Sequence, residues 1–134
     1  MKLFQIEEPD GSPGEESGPG LAIALEVAEG GFRVAVAVGG NAEILRARVG
    51  NARVAAPGDP TDLLLAARSH AEKALARPAT HLLLVAEPAL AERLAAAAPG
   101  AGLVLLGSAP RQGDADATLA AAACRAEDAA AAAA

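Results

Sequence analysis

The chain has 134 residues, 52% of them apolar, with two aromatic residues, one cysteine and a formal net charge of −6. That length allows one domain, 1–134, with a real core, and a lone cysteine excludes both an internal disulfide and a thiolate metal cluster. An acidic chain with only Phe4 and Phe32 for stacking also argues against wholesale nucleic-acid binding and against the aromatic platforms that hold single strands.

The charge is uneven. Residues 1–30 carry seven acidic side chains against Lys2 alone, while the rest of the chain is balanced. Arg33, Arg46, Arg48 and Arg53 face only Glu43 within 33–53, a local basic excess that reads either as a solvated strand face or as a phosphate contact. His70 and His81 lack the spacing of a zinc site. The opening MKLFQIEEPD does not have the form of a signal peptide, and no apolar run reaches a membrane span. The expectation is a soluble, cytoplasmic protein with no membrane partner.

In chain order, LFQI at 3–6 can form a short strand. PDGSPGEESGPG at 9–20 is a loop, because proline and glycine are too dense for helix or strand. LAIALEV (21–27) and FRVAVAV (32–38) flank a glycine-containing turn and read as a hairpin. GGN turns the chain again into AEILRARV (42–49), whose alternation places Leu45, Ala47 and Val49 on one face. Asp59 can cap a helix with Pro60 in its first turn, and Pro78 bars that helix from continuing. THLLLVAE (80–87) is a continuous apolar run, the pattern of a buried parallel strand. PALAERLAAAAPG (88–100) is a helix closed by Pro99 and Gly100, and GLVLLGS (102–108) reads as a second buried strand. Residues 114–134 form a terminal helix rich in alanine, whose last six residues, 129–134, can fray. With so few aromatics, the core must use Leu, Val, Ile and Ala in thin, closely packed layers. The expected fold is a single α/β domain: a mixed sheet of about five strands, an antiparallel meander followed by alternating helices and strands.

That order resembles the ribonuclease H-like fold. Asp10-Gly11-Ser12 followed by Gly18-Pro19 is similar to the family's first-strand triplet and its following Gly-Pro pair. ATHLLLVAE (79–87) looks like the family's fourth strand, with Glu87 at the place of its catalytic aspartate. PRQGDADATLAAAA (110–123) resembles the start of its last helix, with Asp116 at the last acidic position. The resemblance implies a nuclease that cleaves RNA in an RNA–DNA hybrid with Mg or Mn. The metal ligands would be Asp10, Glu87 and Asp116, because two hard cations need several carboxylates converging at strand ends. Asp62 would stand near the family's first-helix glutamate, whose own position falls at Leu64 or Leu65. Arg46 and Arg48 would meet the nucleic-acid backbone.

The missing glutamate, and Glu87 in place of aspartate, lead to a second expectation: a non-catalytic nuclease-like fold that acts through a protein partner. A weaker resemblance, to the PD-(D/E)xK nuclease-like fold, points the same way, since Arg46-Ala47-Arg48 stands where its acid-x-lysine belongs. A third version starts the ribonuclease H topology at LAIALEV, making Glu26 the first-strand acid; the phosphate-binding turn that would suit ATP is not in EVAEGGF. Each acid also has a plainer role: Asp10 as a turn residue, Glu87 as the cap of the next helix with its charge at the positive dipole end, and Asp114 and Asp116 at the positive end of the last one. His70 reads as a surface residue and His81 as structural.

Overall fold

Apolar strand runs and the turn at Gly39 and Gly40 shape the first half of the molecule. The computed structural model describes residues 20–28, 31–45, 59–111 and 113–133, so the strand expected at 3–6 and nearly all of the 9–20 loop lie outside the described residues. β1 (Leu21–Ala28) pairs antiparallel with β2 (Gly31–Val38), and β2 with β3 (Asn41–Ile44). Gly39 and Gly40 between the last two have φ of 63° and 85°, the left-handed region that a two-residue hairpin turn demands of both positions. Of the strand expected over 42–49, residues 46–49 lie outside the described residues; the ladder is described to Ile44, and Leu45 bonds the Val34 carbonyl at 2.8 Å.

The second half alternates helix and strand. α1 (Pro60–Leu75) begins as its sequence requires: Asp59 accepts from the Asp62 N–H at 3.1 Å, and Pro60 supplies the pre-set φ of the first turn. β4 (Ala79–Val85), α2 (Pro88–Ala97), a 3-10 turn (Pro99–Ala101), β5 (Val104–Ala109) and α3 (Ala115–Ala133) follow. Gly102, at φ 74°, carries the chain into β5. A side chain there would meet the guanidinium of Arg68, which donates to the Ala101 carbonyl at 2.9 Å.

The result is one α/β domain with an open, mixed, five-stranded sheet in the order β3-β2-β1-β4-β5. β4 lies parallel to β1 and β5 parallel to β4. β4 is buried, as its apolar run predicts. β5 is not: it is the edge strand, and Val104 and Leu105 are 56% and 37% exposed. An apolar run marks burial only where further elements cover it, and among the described residues no strand lies beyond β5. No described helix is long and apolar enough to cross a membrane.

The two faces of the sheet are built from different residues. On one, Leu21, Ile23, Leu25, Val27, Phe32, Val34, Val36, Leu82 and Leu84 meet Leu63, Leu64 and Ala67 of α1 and Leu94 of α2. Each such large side chain, fully buried, contributes about 1.5–3 kcal/mol. On the other, Ala22, Ala24, Ala35 and Ala37 meet Leu119, Ala122, Ala123 and Ala126 of α3. Methyl against methyl lets α3 lie close across β1 and β2. Glu127 ties down its far end, accepting the Gly39 and Gly40 N–H groups at 2.7 and 2.9 Å.

His70 is half-buried on α1, its ring 6.4 Å edge-to-face from Phe32, and is not the surface residue the sequence suggests. Burial lowers its pKa below the usual 6.5, opposed in part by a backbone hydrogen bond with Leu45. A base whose folded pKa is depressed adds stability above the unfolded pKa and loses it as the pH falls through the folded one. Urea unfolding at about pH 8 and about pH 5 should therefore show a drop toward acid that His70→Gln reduces. At the alanine seam, Ala122→Leu should destabilise by about 1–3 kcal/mol in the same measurement, because the closely set α3 and sheet leave no room for three more carbons.

Candidate functional site

In open α/β sheets, ligands bind outside the carboxyl ends of the parallel strands. Here that edge carries Glu26 near the end of β1, Glu87 two residues beyond Val85, Arg111 two residues beyond Ala109, and Asp114 and Asp116 at the start of α3. Arg33, on the antiparallel β2, is the cross-strand partner of Glu26.

Glu26 is 1% exposed, the one buried charged residue among the described residues. It is buried because period-two alternation puts it on the face of Ala22 and Ala24, under the first turns of α3. Both of its oxygens are engaged: Arg33 Nε donates to Oε1 at 2.7 Å and Arg111 Nε to Oε2 at 3.3 Å. Arg33 Nη1 also donates to Asp116 Oδ1 at 2.6 Å. The hydrogen bond to Glu26 raises the pKa of Arg33 above its ordinary value; burial opposes this, and the contact with Asp116 adds to it. A pocket of about 160 Å³, lined by Glu26, Val85, Arg111, Gly113, Ala115 and Thr118, opens over the cluster. That is smaller than the roughly 300–1,000 Å³ that small-molecule sites take.

The other acids have separate tasks. Asp114 caps α3, its Oδ1 accepting the Asp116 and Ala117 N–H groups at 2.9 and 3.1 Å. Glu87 occupies the N-cap position of α2 and is exposed, without a side-chain capping bond. Asp62 lies in the first turn of α1, next to Thr61, whose methyl faces Gly100 at the far end of α2 from Glu87. A ten-residue helix spans about 15 Å, and Asp116 belongs to α3 on the other face of the sheet. The fold therefore places Glu87 and Asp116 along one edge and keeps Asp62 apart from them. Asp10, Arg46 and Arg48 lie outside the described residues. Among the described residues, no group of three His, Cys, Asp or Glu side chains is placed to hold a metal ion.

The sequence reads Arg33 only within the basic excess of a solvated strand face or phosphate contact, and Arg111 only within PRQGDADATLAAAA; the structure instead turns Arg33 inward onto buried Glu26. A signal for Arg33 is present: Glu26 and Arg33 are equidistant from the ends of their two apolar strands, and each interrupts one of them. Arg111 has no local signal. No protein-family model and no curated protein matches the chain.

Removing one partner of a buried ion pair leaves a charge without compensation, whereas an apolar replacement of both is often neutral. Arg33→Met should therefore destabilise by about 3 kcal/mol, reduced below the full penalty by Arg111. Combining it with Glu26→Leu should recover most of that loss. A double-mutant cycle in urea measures both.

Proposed function

We propose that the chain is a ribonuclease H-like domain that works as a non-catalytic interaction module, binding a protein rather than cutting a nucleic acid. The element order supports the fold: a three-stranded meander, then helix, strand, helix, strand, helix, beginning at β1. In that frame Glu26 is the first-strand acid. The observation that carries the functional reading is its state: a carboxylate removed from water, with a guanidinium on each oxygen.

A two-metal nuclease needs the opposite. Its carboxylates must offer free oxygens to hard cations that are coordinated by oxygen alone. A cation arriving at Glu26 would have to displace Arg33 and Arg111 and would meet their positive charge. Arg33 also occupies an oxygen of Asp116. The cluster serves as a clamp that holds β1, β2 and the entry to α3 together.

The nuclease reading keeps one favourable feature, since Glu87 and Asp116 lie along the same sheet edge. It would have Asp10 join them around Mg or Mn, with Asp62 as a further acid and Arg46 and Arg48 on an RNA–DNA hybrid. Calorimetric titration with Mg and Mn, on the natural chain and on Asp10→Asn, separates the two. The interaction-module reading expects no binding at millimolar metal and no cleavage of a hybrid. Binding that Asp10→Asn abolishes, together with hybrid cleavage, would overturn it.

A further inference from the structure

We propose that β5 is a self-association edge, at which two copies of this chain join their sheets in antiparallel register about a twofold axis. The inference concerns the sheet edge beyond β4, away from the clamp around Glu26, and holds whichever way the metal titration comes out.

The two sheet edges are protected very differently. Among the described residues β3 is four residues long and carries Glu43, the short, charged form that discourages strand addition. β5 is six residues, VLLGSA, with no charge and no proline, and the register shift at Leu106 is the one irregularity along it. Val104 and Leu105 are exposed on its two faces, and its outer row of N–H and C=O groups has no strand partner among the described residues. Between α2 and β5 an open groove of about 350 Å³, lined by Ala91, Ala95 and Ser108 among others, leaves the α2 side of the strand uncovered. Such an edge is a template for main-chain pairing.

Three features identify the occupant as a second copy. The first is size. Three large residues, Val104, Leu105 and Leu106, precede three small ones, Gly107, Ser108 and Ala109. Only antiparallel self-pairing sets large against small along the whole strand: Val104 opposite Ala109, Leu105 opposite Ser108, Leu106 opposite Gly107.

The second is facing. Leu105 pairs with Leu82 and Ser108 with Leu84, both on the α1 and α2 side. Ala109 pairs with Val85, on the α3 side, and Val104 with His81, two residues before Leu83 on that same side. The register shift at Leu106 makes this pattern symmetrical about the Leu106–Gly107 bond. Without the shift, each of these pairs would point to opposite faces, because strand side chains alternate.

The third is charge. Extending the register outward sets Pro110 against Leu103 of the second copy. Glu92 lines the groove beside Pro110, and Arg68 leans over Gly102. Both are on the α1 and α2 side, so in this pairing Glu92 of each copy comes toward Arg68 of the other, twice over, adding a second carboxylate to a guanidinium that already pairs with Glu72 at 3.1 Å and donates to the Ala101 carbonyl.

Sedimentation velocity over a concentration series up to about 100 µM tests this. The natural chain should sediment as two copies, and Val104→Lys with Leu105→Lys as one, with unchanged circular dichroism. Glu92→Arg, a surface change that cannot affect the core, should weaken association by roughly tenfold. A natural chain that stays monomeric, whether residues 3–6 of the same chain or water cover the edge, overturns the proposal. So does a lysine variant that folds and still dimerises.

Discussion

A carboxylate buried in the central strand of the sheet is the constraint around which this molecule is arranged. Taking an ionised glutamate out of water costs several kcal/mol unless opposite charge and hydrogen bonds come with it. Glu26 meets that requirement with groups drawn from far apart: Arg33 across the hairpin and Arg111 beyond β5. Asp116, from α3, then holds the other side of Arg33. One charge thus specifies the register of β1 on β2 and the path of the chain from β5 into the last helix. An apolar residue at position 26 would pack against the same strands without selecting those partners.

The unequal faces of the sheet follow from the same economy of residues. With two aromatics in the whole chain, the side covered by α1 and α2 takes most of the large aliphatic residues, leaving Leu83, Val85 and Leu119 among the buried ones on the other. The other side has to be closed by proximity, and alanine on both surfaces allows it. That explains how a helix with so little amphipathic contrast can still be a core element: α3 needs only small residues facing the sheet, one leucine, the Asp114 cap and the Glu127 anchor. It also leaves the sheet lopsided. α3 centres on β1 and β2, and β5 is left at a margin that neither layer covers well.

Much of this architecture was legible in the sequence. Asp59, Pro60 and Pro78 bracket α1, the continuous run at 80–87 marks β4, and the glycine pair at 39–40 marks the turn into β3. The shortage of large side chains foretold the thin alanine layer. The edge position of β5 was not legible, since its apolar run is as dense as that of β4 and the difference lies in what stands beside it. Nor was the half-burial of His70, which depends on Phe32 reaching it from another strand. Among the acids, the capping role of Asp114 could be read locally, whereas the pairing of Asp116 with Arg33 joins residues far apart in the chain.

By itself, the sequence determined the type and order of the elements and the mixed character of the sheet. These depend on backbone hydrogen bonding, caps and side-chain periodicity within a few residues. Only the tertiary structure decided which acid is buried, which arginines neutralise it, and which strand is left at the edge. Those outcomes depend on charges and surfaces brought together by chain reversals, and desolvation acts on a group only once distant elements have closed over it.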